Sequence, residues 1–235
     1  MKDAYQILRL QYAFDGAEQT LFPVLLFGKE DIVLVDCGYP GSLALLEEQI
    51  RGRGTAPETI TKLVLTHQDD DHMGSAAAWK RKYPAAQVLA SALEAPYISG
   101  KRKNLRLLQA EALQSKLPDD QKAWGERFCS RLRSLEPVAV DRTLQHGDMF
   151  DWGGGCEILL TPGHTPGHLS IRALDGSFCV TGDAAVREGT DLAVANPGFC
   201  LDLDEAEKSL AMLRRCCCKQ YICCHGGIWH RQMSE

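Results

Sequence analysis

The sequence lacks the features that direct a chain to a membrane, to export or to nucleic acid. Its apolar runs all fall well short of the ~20 residues that a membrane-spanning helix requires. Residues 1–5 contain neither an apolar core nor a small-residue cleavage site, so we expect a cytoplasmic protein that is not exported. The net charge of -5 gives no reason to expect binding to nucleic acid or to an anionic membrane.

Repeats, low-complexity segments and an obvious linker are also missing from the 235 residues. The hydrophobic content of 45% and the charged content of 24% are typical of a globular protein. A chain of this length buries a substantial core without disulfides or a structural metal. We therefore expect a single domain over residues 1–235.

Cysteine is abundant, with ten residues, but the Cys-x-x-Cys spacing of structural zinc sites is absent. Five of the cysteines crowd together near the end: Cys216, Cys217, Cys218, Cys223 and Cys224. In a chain without an export signal, this pattern favours reduced thiols that act as small buried hydrophobic residues. A second metal site or a redox cluster is the alternative.

Apolar patterning divides the chain into two β-rich halves. In the first half it predicts strands over 5–10, 21–27, 31–36, 61–66 and 87–90, and helices over 41–51 and 75–83. In the second half it predicts strands over 156–160, 169–173, 178–180 and 221–224, and a helix over 204–215 capped by Asp202 or Asp204. Two β-halves, each flanked by helices, predict an α/β (α+β) fold, a four-layer αββα sandwich.

The motif with the most chemical information is T-H-Q-D-D-D-H, residues 66–72, at the end of a predicted strand. His67, Asp69 and Asp71 alternate, so their side chains can turn the same way, and His72 follows directly. Gly74 then lets the chain leave tightly. Neutral imidazole and carboxylate groups suit zinc, iron and manganese.

Three further ligand-type residues lie at strand ends or tight turns downstream, namely His164, Asp183 and His225. Together with the motif they make seven groups, enough to hold two metal ions and leave room for a water. Such a water would lose a proton near neutral pH and attack a carbonyl carbon or a phosphorus. The constellation therefore predicts metal-assisted hydrolysis.

By these residues the chain resembles the metallo-β-lactamase fold superfamily, nearly end to end from Leu34 to His225. The resemblance implies the αββα fold and two metal sites. It implies a first ion on His67, Asp69 and His164. It implies a second ion on Asp71, His72 and His225, with Asp183 bridging both.

Asp69 departs from the family pattern His-x-His-x-Asp-His, in which the middle residue is a second histidine. A third carboxylate lowers the net charge of a two-metal site from about +1 to about 0, which weakens both ions as Lewis acids. Zinc remains the first expectation, but the extra oxygen ligand improves the prospects of manganese or iron. The alternative is that Asp69 is too short to reach, so that only the second site fills.

Two nearby residues are predicted to support the ligands. His168 is interpreted as a structural neighbour of the site rather than a ligand. Asp36, at the end of a predicted strand, either orients a ligand imidazole or simply forms a turn.

Residues 91–135 differ from both halves, because they lack β-branched runs and follow helical spacing. Two apolar stripes predict two or three helices, one stripe with Leu105, Leu108 and Ala112 and one with Trp124, Phe128, Leu132 and Leu135. We expect this insert to form a wall or a lid over the metals. Four basic residues near its start either form a solvated helix start or contact an anionic substrate: Lys101, Arg102, Lys103 and Arg106.

The function predicted from these residues is a metallo-hydrolase of a small ester, thioester, lactone or phosphoester, with Asp71 accepting a proton or orienting the water. The domains that larger members of the family carry do not fit in this length, which favours a stand-alone enzyme. One alternative is a di-iron oxidoreductase related to flavodiiron proteins, which also have a carboxylate at the position of Asp69. Another is a non-catalytic metal-binding scaffold.

Overall fold

The computed structural model describes residues 4–14 and 17–232. Its strands in chain order are β1 (Tyr5–Ile7), β2 (Leu10–Phe14), β3 (Ala17–Leu21), β4 (Val24–Phe27), β5 (Ile32–Val35), β6 (Lys62–Val64), β7 (Gln87–Ser91), β8 (Arg142–Leu144), β9 (Met149–Phe150), β10 (Cys156–Leu160), β11 (Leu169–Ala173), β12 (Phe178–Gly182), β13 (Val186–Glu188), β14 (Asp191–Ala193), β15 (Gln220–Cys223) and β16 (Gly227–His230). Its helices are α1 (Leu43–Gly52), α2 (Asp70–Met73), α3 (Ala76–Lys82), α4 (Ala95–Ile98), α5 (Leu105–Gln114), α6 (Asp119–Arg133) and α7 (Leu203–Arg215).

The described strands form two large sheets. The first has the order β1, β4, β5, β6, β7, β8, and the second has the order β16, β15, β12, β11, β10, β9. Strands β5, β6 and β7 run parallel, as do β12 and β15. Because the carboxyl ends of parallel strands meet at one edge, the loops after them are gathered there.

Alternation along the strands produces two faces on the first sheet. Val24 and Leu26 on β4 point into an apolar layer shared with the second sheet, where they meet residues such as Ile171 and Phe178. The intervening Leu25 points to the opposite face and packs with the helices. The contact between the sheets is therefore apolar on both sides.

The outer face of each sheet is covered by helices. Leu46 of α1 and Trp79 of α3 pack on the first sheet, and Leu210 of α7 packs on the second. Helix α7 is capped by Asp202, whose carboxylate accepts from the Glu205 amide at 3.0 Å. The predicted four-layer αββα sandwich is thus confirmed.

The insert contains α4, α5 and α6. Helices α5 and α6 pack on each other through four buried residues: Leu107, Ala110, Cys129 and Leu132. The predicted stripe on α5 was wrong, because Leu108 is 44% exposed whereas Arg106, one of the four basic residues, lies on the buried face. None of the helices in residues 4–14 and 17–232 has the length and apolar character needed to cross a membrane.

The sequence patterns missed several short elements. The predicted strand over 5–10 is interrupted after Ile7, and Leu10 instead begins β2, which pairs antiparallel with β3. The β13–β14 hairpin and the edge strand β16 were also not predicted. These elements are three to five residues long, too short for a reliable period-2 pattern.

Every cysteine lies within the described residues, and all ten are free thiols. Seven of them are buried, among them Cys37, Cys179 and Cys223. Cys37 and Cys179 lie inside the apolar layers outside the two sheets. The interpretation of most cysteines as small buried hydrophobic residues therefore agrees with their packing.

Gly74, directly after α2, gives a test of how tightly the motif is packed. A Cβ there would lie 2.2 Å from the Asp70 carbonyl oxygen and 2.3 Å from the backbone nitrogen of Pro40. We expect Gly74→Ala to destabilise the protein by ~1–3 kcal/mol because backbone must move to admit the methyl group. Gly52→Ala at the end of α1, where a Cβ meets nothing within 4 Å, should be neutral or stabilising by up to ~1 kcal/mol. Chemical denaturation of both variants measures the difference, and equal stabilities would contradict the packing argument.

Candidate metal centre

The predicted ligand residues all lie at one edge of the sandwich, where strands of both sheets end. Their positions follow from the strands before them: residues 66–72 follow β6, His164 follows β10, Asp183 follows β12 and His225 follows β15. The structure brings together all seven of the predicted ligands, in two neighbouring clusters.

The second cluster contains His72, His225, Asp71 and Asp183. His225 Nε2 lies 3.0 Å from Asp71 Oδ2 and 3.6 Å from Asp183 Oδ2. His72 Nε2 lies 3.2 Å from Asp183 Oδ1 and 3.8 Å from Asp71 Oδ1. Two imidazoles and two carboxylates thus converge on one small volume.

These groups fit a divalent metal ion. Among the described residues, His72 Nε2 and Asp183 Oδ1 are buried polar atoms without a well-aligned hydrogen-bond partner. Leaving such atoms unsatisfied costs free energy, and a cation between them would satisfy both. The neutral imidazole and carboxylate set is the one that zinc, manganese and iron accept.

Cys224 belongs to the same neighbourhood and was not predicted as a site residue. The ligand-type atoms of His72, Asp183, Cys224 and His225 lie within 4.8 Å of one another. Its position directly before His225 could have indicated a role in the site. Instead, the cysteine pattern groups Cys224 with its neighbours as a small buried hydrophobic residue.

The first cluster contains His67, Asp69 and His164, whose ligand-type atoms also lie within 4.8 Å of one another. Asp69 Oδ2 lies 3.1 Å from His164 Nε2 and 3.6 Å from His67 Nε2. Asp69 is therefore long enough to reach the cluster. Asp183 Oδ2 lies 3.5 Å from His164 Nε2, which places this carboxylate between the two clusters.

Arg106 also enters the first cluster, a position that no pattern in the sequence predicts. Its guanidinium binds Asp69 Oδ2 through Nε at 3.0 Å and Nη2 at 2.7 Å. The solvated helix start considered for the basic residues is therefore wrong for Arg106, which is 2% exposed. Only weak evidence for this position is present in the sequence, because no pattern of residues near Arg106 indicates that α5 turns it toward the motif.

Asp36 orients His72 and also forms a turn, so both of its alternative roles are present. Its backbone has a φ of 61°, a left-handed conformation that aspartate tolerates better than most residues. Asp36 Oδ2 lies 2.8 Å from His72 Nδ1, and Asp36 Oδ1 accepts from the Thr66 amide at 2.9 Å. With Nδ1 occupied, the His72 ring directs Nε2 into the second cluster.

His168 uses both ring nitrogens for structural contacts. Nδ1 lies 2.8 Å from the Thr161 hydroxyl, and Nε2 accepts from the backbone amide of Asp183 at 2.9 Å. His168 therefore holds the start of the Asp183 loop in place. This is the structural role that the sequence predicted for it.

The charges of the second cluster shift its pKa values in opposite directions. Burial lowers the pKa of His225, but Asp183 and Asp71 raise it more, so that it reaches about 10. Burial raises the pKa of Asp183, but His225 and His72 hold it well below its ordinary value. Before metal binding, the cluster therefore holds a proton on His225 at neutral pH.

Five of the seven predicted ligands line the floor of a cleft of about 830 Å³: Asp69, Asp71, His164, Asp183 and His225. Helix α6 supplies one wall of it, including Trp124, Arg127 and Phe128. Arg131 of the same helix lies 2.7 Å from Asp70 Oδ2 and so joins the wall to the motif. The cleft thus combines a cationic and aromatic wall with an anionic floor, and the insert forms a wall of the site as expected.

Comparison with known proteins agrees with this geometry. The family model described as the metallo-beta-lactamase superfamily matches residues 22–216. A probable metallo-hydrolase of Bacillus subtilis, YflN, is 28% identical over 156 residues, which cover 66% of this chain and 55% of YflN. An uncharacterized protein of the same organism, YobT, is 24% identical over 168 residues, 70% of this chain and 63% of YobT. The chain thus spans less than two thirds of the length of these relatives.

Solved structures share the fold. A metallo-beta-lactamase family protein from Thermus thermophilus superposes with a TM-score of 0.72 at 19% identity, covering 97% of this chain and 75% of that one. An archaeal metallo-beta-lactamase superfamily protein from Sulfolobus tokodaii gives a TM-score of 0.66 at 20% identity, covering 98% of this chain and 82% of that one.

Asp36→Asn tests the orientation of His72. Asparagine also tolerates the left-handed backbone, so the change keeps the turn but removes the charge and one of the two oxygens that face the Thr66 amide and His72 Nδ1. We expect zinc affinity to fall by roughly 10- to 100-fold, measured by competition with a chromogenic chelator. Asp31→Asn, at the other end of β5, is the matched control and should leave zinc affinity unchanged. An unaltered affinity in Asp36→Asn would show that Asp36 only forms a turn.

The pKa of His225 predicts how metal binding depends on pH. A histidine ligand must be neutral, and His225 has a pKa of about 10 before metal binding, so binding at pH 7 releases its proton. Apparent metal affinity should therefore increase as pH rises from 7 toward 10. Calorimetric titration in two buffers of different ionisation enthalpy counts the protons released. We expect His225→Ala to release one proton fewer, and equal counts in both proteins would contradict this assignment.

Proposed function

The chain belongs to the metallo-beta-lactamase superfamily, and on this basis we propose that it is a metal-dependent hydrolase of a small molecule. The bonds we propose for cleavage are those of esters, thioesters, lactones or phosphoesters. We also propose that residues 1–235 act as one domain. The observation that carries the proposal is the convergence of two imidazoles and two carboxylates, three of which line an open cleft.

Zinc is the metal we propose first, with manganese or iron as alternatives because the site is rich in carboxylates. His72, His225, Asp71 and Asp183 would hold the ion. A divalent ion supplies Lewis-acid activation of a water and of the substrate oxygen when it is bound. The resemblance implies two ions, and the second cluster by itself is sufficient for this chemistry.

Asp71 is the residue we assign to proton transfer or to orientation of the attacking water. Its side chain is 15% exposed and faces the cleft, whereas Asp183 is 4% exposed. A carboxylate that is partly exposed to the cleft can reach a water there, which places Asp71 to accept its proton. Asp183, by contrast, is surrounded by imidazoles and is assigned to binding.

The walls of the cleft favour an anionic substrate with an apolar part. Arg127 and Arg131 from α6 line it together with Trp124, Phe128 and Phe199. The aromatic rings offer contact area to an apolar part of the substrate. Guanidinium groups suit a carboxylate or phosphate on the substrate.

We propose the cytoplasm as the location and a small molecule as the only partner required. The free state of all ten cysteines supports a reducing compartment. The di-iron oxidoreductase alternative requires iron in both clusters, and the contact between Arg106 and Asp69 does not favour it. A non-catalytic scaffold is the outcome that the following experiment distinguishes.

Metal removal and reloading test the proposal. We expect chelated protein to be inactive and zinc- or manganese-loaded protein to cleave at least one of four chromogenic probes: an aryl ester, a thioester, a lactone or a phosphodiester. Asp183→Asn and His225→Ala should each reduce kcat/KM by roughly 100-fold or more, since the ion supplies several kcal/mol of stabilisation.

His230→Ala, which removes an exposed imidazole on β16, is the matched control and should retain full activity. Protein that binds metal but cleaves none of the four probes would favour the non-catalytic scaffold and contradict the proposed hydrolysis.

A further inference from the structure

We infer that Arg106 occupies the place of the first metal ion, so that the chain binds a single divalent ion, in the second cluster. The inference rests on the proposed function only for the presence of that ion in the second cluster. It concerns a residue of the insert, 37 positions from Asp69 in the chain.

The guanidinium engages the atoms that would ligate a first ion. Arg106 donates to Asp69 Oδ2 from Nε at 3.0 Å and from Nη2 at 2.7 Å. Nη2 also lies 3.2 Å from His164 Nε2. Two of the three first-cluster residues are therefore already in contact with a cation.

Arg106 is held in this position by contacts on its other side. Nη1 donates to the side chain of Gln109 and to the carbonyl oxygen of Phe199. The guanidinium carbon also lies 5.2 Å from the centroid of the Phe199 ring. Contacts from three directions make withdrawal of the side chain costly.

The start of α5 is bonded directly to the motif, which positions Arg106. The Leu105 amide donates to Gln68 Oε1 at 2.7 Å, and Asn104 Nδ2 donates to the Gln68 carbonyl oxygen at 2.9 Å. Gln68 in turn donates to Glu94 Oε2 from its backbone and side-chain nitrogens, each at 3.1 Å. Gln68 lies between His67 and Asp69 in the chain. Displacing Arg106 would therefore strain a buried network that is attached to the motif.

Charge explains why the Arg106 guanidinium and a metal ion exclude each other from the first cluster. A guanidinium keeps its proton at any ordinary pH, so a divalent ion on the same oxygen would face a permanent positive charge a few ångströms away. The same argument explains Asp69 itself, because a carboxylate pairs with arginine as an imidazole does not. Asp69 and Arg106 thus form a matched pair in place of a histidine and a metal ion.

The count of metal ions tests the inference without reference to activity. After loading with excess zinc and removal of free ions, mass spectrometry should find one zinc per chain in the wild type. Arg106→Met, which removes the guanidinium and its charge but keeps an unbranched apolar side chain, should bind about two. Arg127→Met, which removes another arginine that lines the cleft, is the matched control and should bind one.

If circular dichroism shows that Arg106→Met does not fold, Asp69→Asn tests the number of zinc ions per chain without altering Arg106. We expect one zinc per chain in this variant, as in the wild type. Arg106→Lys, which keeps a positive charge, should also bind one.

Two zinc ions in the wild type that fall to one in Asp69→Asn would overturn the inference and leave the proposed function intact. One ion in both the wild type and a folded Arg106→Met would also overturn it, because Arg106 would not be what excludes the first ion. No zinc in any variant would contradict the proposed function together with the inference.

Discussion

The apolar contact between the two sheets determines where every polar group of the site can lie. Val24, Leu26 and their partners on the second sheet remove water from the centre of the molecule, so ligand-type side chains are excluded from it. Histidines and aspartates can be concentrated only at an edge, in the loops after the strands. Because both sheets end at the same edge, loops distant in the chain meet there.

Burial of these loops imposes a second requirement, namely that each polar atom finds a partner. The carboxylate of Asp36 binds both the Thr66 amide and His72 Nδ1. His168 Nε2 accepts a hydrogen bond from the backbone amide of Asp183. Glu94 connects the motif to the loop that carries His164, since it accepts from Gln68 and from the Gly167 amide. These networks occupy His72 Nδ1 and both ring nitrogens of His168, whereas His72 Nε2 and Asp183 Oδ1 are, in the described part of the chain, buried without a well-aligned hydrogen-bond partner.

Electrostatics then distinguishes the two clusters. Two carboxylates and two imidazoles make the second cluster attractive to a divalent cation. In the first, burial raises the pKa of Asp69, but Arg106 and the two histidines lower it more, so the carboxylate stays ionised and paired. An enzyme with one metal ion and one guanidinium on its floor would replace one Lewis acid with a hydrogen-bond donor of fixed charge.

The sequence by itself determined the fold class and the seven ligand-type residues, because both depend on local signals. Apolar periodicity marks the strands and the main helices, and polar residues directly after a strand mark an edge of a sheet. Strands β2, β3 and β16 escaped prediction because they are short. Only the tertiary structure decided which face of α5 is buried and that Arg106, rather than Leu108, lies against the motif. Packing between elements far apart in the chain determines which face of α5 is buried. The pattern of apolar residues within α5 does not predict that face.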